Sequence, residues 1–179
     1  MRIAVIGHVE YVTIGAVPAL PTAGDICHLD QPHAFPGGGG GVAFYQLAKS
    51  PAEVLLYTAL GDDDAGRFVE AELATTRATV FAAKRARPHT RDVVMVTPGG
   101  QRTIVVIGAP LHPERTDPLP WDELASCDAV YFTAQDPEVL KVARAARVLV
   151  VTARRRDALI RSGVRADVVV GSAGDPREA

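Results

Sequence analysis

Gly37 to Lys49 reads GGGGGVAFYQLAK, five glycines running straight into a helical stretch from Val42 to Lys49. This segment lies between two compact apolar runs, Ile3 to Ile6 closed by Gly7 and Val54 to Leu60. Each run is short and apolar on both sides, as a strand buried on both faces requires. Strand, helix and strand in that order make a βαβ unit. The second run ends at Gly61-Asp62-Asp63-Asp64, whose carboxylates suit the start of a following helix that turns Phe68, Ala71 and Leu73 inward.

The alternation returns further on. Ala129 to Thr133 reads as a strand, and Pro137 to Arg147 as a helix with Val139, Val142, Ala143 and Ala146 on one side. Val148 to Thr152, a short helix near Asp157 to Ser162 and a final strand at Val168 to Val170 complete the pattern. Such alternation implies a parallel sheet covered by helices. The middle of the chain differs. Arg91 to Thr97 and Arg102 to Ile107 flank Pro98-Gly99-Gly100-Gln101, the signature of an antiparallel hairpin.

Composition narrows the function classes. The 179 residues are 47% hydrophobic and 22% charged, the balance of one globular domain or part of a larger one. Nineteen basic and twenty-one acidic residues give a net charge of −2, with no block of one sign to grip a nucleic acid. Cys27 and Cys127 form no metal or disulfide pattern, and the N-terminal apolar run is too short for a signal peptide or a membrane span. A cytoplasmic protein with no nucleic-acid or membrane partner is the expectation.

The glycine run is either a flexible linker or a ligand-binding helix entrance, where backbone N–H groups approach oxygen-rich groups closely. Its abutment on a helix favours the ligand. It is not a Walker A loop, because Val42 and Ala43 follow Gly41 where Lys and Ser/Thr would stand. Nor is it a dinucleotide fingerprint, because Gly7 is followed by His-Val-Glu-Tyr-Val. The five histidines have no metal or triad spacing, and Arg154-Arg155-Arg156 reads as a charged turn or an anion contact at the sheet edge. Trp121 reads as an anchor in the core or an interface.

Several segments, in order, resemble the ribokinase-like (PfkB) carbohydrate kinases. They are Gly7 to Val12, Pro21-Thr22-Ala23-Gly24-Asp25, Gly37 to Val42, Gly61-Asp62-Asp63 with Gly66, Pro88-His89-Thr90-Arg91 and Gly100 to Ile104. The resemblance implies a three-layer α/β/α sandwich with a mainly parallel sheet. A small β-strand lid is implied at about residues 12–36 and 88–108, and residues 1–179 would be a single incomplete domain. It also implies ATP-dependent phosphoryl transfer to a hydroxyl of a sugar-like or nucleoside-like molecule, with Mg2+, and a homodimer formed through the lid. The sequence departs from the family at two sugar-binding positions, where Val12 replaces an Asp and Val42 an Asn.

The residues matched to substrate binding are Glu10, Gly37, Gly38, Gly39 and Gly40, with Asp136 at a strand end. Glu10 is otherwise an exposed loop acid, and Asp136 otherwise a cap for the helix at Pro137. Ser172 and Asp175 fall where the family positions metal and phosphate, and otherwise form a turn. The family's nucleotide loops and catalytic base match nothing in these 179 residues. The resemblance therefore implies no catalytic residue here and an inactive polypeptide at this length. The alternative function is a non-catalytic ligand-binding or interaction relative.

Overall fold

The computed structural model describes residues 1–178. Its main sheet has six parallel strands in the order β10-β9-β8-β1-β4-β5. These are β1 (Arg2–Ile6), β4 (Glu53–Gly61), β5 (Thr79–Arg85), β8 (Ala129–Phe132), β9 (Val148–Thr152) and β10 (Val168–Val170). β1 lies between β4 and β8, with Ile3 opposite Val54 and Ile6 opposite Phe132. Along β1 and β4 successive residues serve opposite cores, the reason these two read as unbroken apolar runs, whereas β10 at the sheet edge is exposed. Val5, Val54, Leu56 and Leu60 meet Phe44, Val69 and Leu73 on one face. Ala4, Ile6, Leu55 and Tyr57 meet Leu124, Val139, Leu140 and Ala158 on the other. Each such fully buried Leu, Ile or Phe contributes about 1.5–3 kcal/mol.

Helices α1 (Gly38–Leu47) and α2 (Asp64–Leu73) supply the first core, and α3 (Pro137–Ala143) and α4 (Arg156–Ser162) the second. The α/β/α layering is therefore as expected, and Trp121 is a core anchor, stacked on Tyr57 at 5.3 Å. A second sheet, β3-β2-β6-β7, forms the lid from β2 (Glu10–Ala16), β3 (Asp30–Gly37), β6 (Arg91–Val96) and β7 (Arg102–Ile107). β6 and β7 are the expected hairpin. It joins β3 through β2, which pairs antiparallel with β3 and parallel with β6.

Some local expectations are corrected. α1 starts at Gly38, so four of the five glycines are inside the helix and not ahead of it. The reason is close packing: a methyl on Gly40 would lie 2.7 Å from the His8 carbonyl oxygen and 2.8 Å from the Gly7 carbonyl carbon. In α2 the buried positions are Ala65, Gly66, Val69 and Leu73, at spacings of three and four. Phe68 is half-buried against Tyr11 of the lid, and Ala71 is exposed. α3 stops at Ala143, with Leu140 on its buried face and Val142 only half-buried. β2 and β5 are strands that the apolar runs do not announce.

Candidate acceptor site

At the C-terminal edge of the parallel sheet, β1 ends and the chain passes through His8 into β2 of the lid. The N-terminus of α1 closes on this connection. Gly40 N–H donates to the His8 carbonyl at 2.9 Å, and Gly39 N–H donates to His8 Nε2 at 3.3 Å. Because Nε2 accepts, the imidazole is neutral and its hydrogen sits on Nδ1, a buried atom with no partner. The 3.6 Å approach of Glu10 Oε1 to the same Nε2 is therefore not an ion pair. His112 lies edge-on to His8 with ring centroids 4.8 Å apart, and both of its nitrogens are buried without partners. Burial, reinforced by the Arg155 charge, pushes His8 down to about 4. Burial, with His8, Arg155 and Arg87 nearby, takes His112 to about 3.

Glu10 is buried, at 7% exposure, and is not the exposed loop acid of the bland reading. It pairs in register with Gly37, and Gly38, held at φ +76°, leaves room for its carboxylate: a methyl there would lie 3.1 Å from Oε2. Across the lid sheet, Asp92 of β6, in register with Val12 of β2, is 5% exposed, and its buried Oδ1 has no hydrogen-bond partner. Burial first, then Asp92, pushes the Glu10 carboxyl up to about 8, against the pull of Arg155. Arg155 follows β9 and is held by a 2.8 Å bond from Nε to the Thr133 carbonyl.

The fold thus gathers Glu10 and Gly37 to Gly40 beneath the lid at the carboxyl edge of the sheet, the candidate recess for a ligand. Asp136 caps α3, accepting the Glu138 N–H on Oδ1 and the Arg115 N–H on Oδ2, both at 2.8 Å, so both of its oxygens already have partners. Asp175 pairs with Arg154 and accepts the Arg177 N–H, and Ser172 N–H donates to Glu178. Val12, buried, packs on Gly37, and Val42, midway along α1, is 52% exposed. His8, Asp92, His112 and Arg155 belong to the recess although no sequence spacing marks them. The one available signal is position, since His8 and Arg155 each follow a parallel strand where such sheets bind ligands. A groove of about 570 Å³ lies at the opposite sheet edge, where the Ser50, Thr75 and Thr76 hydroxyls already bond backbone carbonyls.

These buried polar groups lie at the carboxyl edge of a doubly covered parallel sheet, the edge at which open α/β sheets bind ligands. Residues 1–165 match the pfkB family carbohydrate kinase, and the chain belongs to that family. No curated protein matches it in sequence. Among solved structures, a putative ribokinase from Agrobacterium tumefaciens is similar at TM-score 0.68 and 19% identity, over 92% of this chain and 63% of that one. A possible 1-phosphofructokinase from Thermotoga maritima gives 0.76 and 13%, over 96% and 60%. Phosphofructokinase-2 from Escherichia coli, in complex with substrates and products, gives 0.71 and 10%, over 93% and 59%. The chain therefore spans about three fifths of each, and at these identities the likeness establishes the ribokinase-like fold.

Proposed function

We propose that the recess binds a sugar-like or nucleoside-like molecule and presents one hydroxyl for phosphoryl transfer from ATP. The observation that carries this reading is the set of buried polar groups on Glu10, Asp92, His8 and His112, several without partners, gathered at the mouth of α1 beneath a lid. Family membership supplies ATP as the donor. A lid that excludes water and holds the acceptor does what phosphoryl transfer asks of this half of a site, since positioning and charge stabilisation carry most of the catalysis.

Magnesium goes with ATP in this chemistry, but Ser172 and Asp175 do not fit it here. Asp175 is occupied by two guanidinium groups, and the described residues hold no cluster of three or more potential metal ligands. No step is assigned to them. Two unpaired cysteines fit a reducing cytoplasm, and among the described residues no helix is long and apolar enough to cross a membrane.

Titration calorimetry with ribose, fructose, ribitol and inosine tests the reading. At least one should bind, and Glu10→Ala should weaken it by at least about tenfold, the order of magnitude for deleting a buried hydrogen-bonding partner. Unchanged affinity would remove Glu10 from the site. ATP consumption in the presence of the bound compound tests the transfer.

The lid also supports the homodimer. Ile104, Val105, Val106 and Ile107 of the edge strand β7 are each about half exposed (47–53%), and among the described residues β7 pairs only with β6. An unpaired apolar edge recruits another strand, and a second copy offers an identical one. Light scattering should give a dimer for the native chain and a monomer for the I104E/V106E variant. A native monomer at all concentrations would end this proposal.

A further inference from the structure

Ser172 and Asp175, unfitted to magnesium, belong to a segment that grips something else. After β10 the chain makes two successive turns, Asp175 N–H donating to the Ser172 carbonyl at 3.1 Å and Glu178 N–H to the Asp175 carbonyl at 2.8 Å. The turns bring two carboxylates to one guanidinium. Arg154, in the turn that follows β9, gives Nη2 to Asp175 Oδ2 and Nε to Glu178 Oε1, the latter at 2.5 Å. The second oxygen of each acid is taken up within the segment: Ser172 N–H donates to Glu178 Oε2 at 2.7 Å and Arg177 N–H to Asp175 Oδ1 at 3.0 Å.

Residues 172–178 read SAGDPRE and contain no large apolar side chain. Most of the segment faces solvent, yet the side chains of Asp175 and Glu178 are only 18% and 12% exposed. A segment without an apolar anchor is held by what its charges meet. Arg154 is itself 43% exposed, so these ion pairs are weak and screened by salt, and the hold is reversible. The surface beneath is basic. Arg154, Arg155 and Arg156 follow one another at the carboxyl edge of the sheet, where such sheets bind ligands, and Arg155 is fixed there by its 2.8 Å bond to the Thr133 carbonyl.

We propose that residues 171–178 form an acidic latch, in which Asp175 and Glu178 occupy a polyphosphate-binding turn at Arg154–Arg156 and from which a multiply charged phosphate displaces them. A guanidinium fork pairs with carboxylate and phosphate oxygens alike, so the two acids stand where the oxygens of an external anion would bind. A polyphosphate brings more charge than the two carboxylates and carries it in one molecule, which lets it compete with them where a smaller anion does not. The latch is thus an autoinhibitory contact over the basic turn. It does not depend on the acceptor reading, because Arg154, Asp175 and Glu178 are not among the groups assigned to the acceptor.

Amide NMR of the 15N-labelled chain titrated with sodium tripolyphosphate, with calorimetry at low salt, tests this. The amides of Ser172 and Arg177, bonded to the two carboxylates, should shift as tripolyphosphate is added and approach their positions in the D175A/E178A chain, while those of β9 stay in place. Tripolyphosphate should bind that variant about three- to thirtyfold tighter than the native chain, the range that two such ion pairs span. The D30N/D122N variant, which neutralises two exposed acids on other elements, should bind as the native chain does. Arg154→Ala should weaken binding by about tenfold or more and release both amides with no ligand present, and Arg154→Lys, which keeps the charge without the fork, should fall between. Equal affinity of the native and D175A/E178A chains would overturn the latch. Binding undiminished in Arg154→Ala, or sulfate binding as tightly as tripolyphosphate, would overturn the polyphosphate-binding turn. Ser172 and Arg177 amides that stay fixed at saturation would place the anion elsewhere, and no binding by either chain would end the proposal.

Discussion

Gly66→Ala is expected to lower stability by about 3 kcal/mol or more, at the upper end for overpacking a single site. The third residue of α2 crosses the end of β4 so closely that a methyl on it would lie 2.1 Å from the Gly61 carbonyl oxygen and 2.8 Å from its carbon. Neither atom belongs to a side chain that could swing away. Gly61 is itself held, its N–H donating to buried His89 Nδ1 at 3.2 Å. Gly66 N–H is also the donor to the capping Asp63 carboxylate, so a shift of α2 that relieves the clash pulls the cap apart. The comparison is Gly99→Ala in the hairpin turn, where an added methyl meets nothing within 4 Å and the change should stay within about 0.5 kcal/mol. Urea midpoints at constant m-value measure both. Equal midpoints for the two variants would show that α2 and β4 are not locked at this crossing.

That crossing also shows what the chain tells by itself and what it does not. The inner parallel strands are legible because burial forces apolar runs, and Val148 to Thr152 lies where the pattern places it; Val168 to Val170 also forms its strand, though its valines are exposed, while β5 at the other edge is not announced. β2 is hidden because Glu10, Tyr11 and Thr13 interrupt its apolar residues, and its partners, β3 and β6, are distant in sequence. The glycine run is legible as a special place, but its reason is tertiary: it is glycine because the β1–β2 connection presses on the helix. Glu10 and the glycines are found through their neighbours in the chain. His8, Asp92, His112 and Arg155 come from four separate segments, and only the shared carboxyl edge of the sheet and the fold-over of the lid bring them to one recess. Asp136 illustrates the converse, since a strand-end carboxylate followed by proline satisfies a cap before it satisfies a ligand.

The lid depends on one carboxylate, and Asp63→Ala is expected to release it at a cost of roughly 2–4 kcal/mol. Asp63 caps α2 through Gly66 N–H at 3.0 Å, accepts His89 N–H at 3.1 Å and meets Arg91 Nη2 at 2.9 Å. A helix, the chain leading into the lid and the first residue of β6 are thus joined at one side chain. Loss of a cap costs about 1 kcal/mol, and an orphaned, part-buried N–H costs about 1–3 kcal/mol. The ion pair adds at most about 0.5 kcal/mol because Arg91 is well exposed. Burial alone would push the Asp63 carboxyl up, but the N–H groups of Gly66 and His89 and the Arg91 guanidinium outweigh it and hold the carboxyl below its ordinary value. Its contribution is therefore complete above the unfolded carboxyl's pKa and is lost as pH falls through the lower folded value. The gap between native chain and variant should accordingly narrow in acid and stay constant from pH 6 to 8. Asp63→Asn, which keeps a capping oxygen but no charge, should fall between them. Amide exchange distinguishes a local from a global effect: in the Asp63→Ala chain the β6 amides should exchange faster relative to those of β4, since the lid loses its tether while the central sheet keeps both cores. Uniform acceleration across β4 and β6 would mean that lid and sheet open as one unit, and that Asp63 stabilises the whole fold and not the closure over the recess.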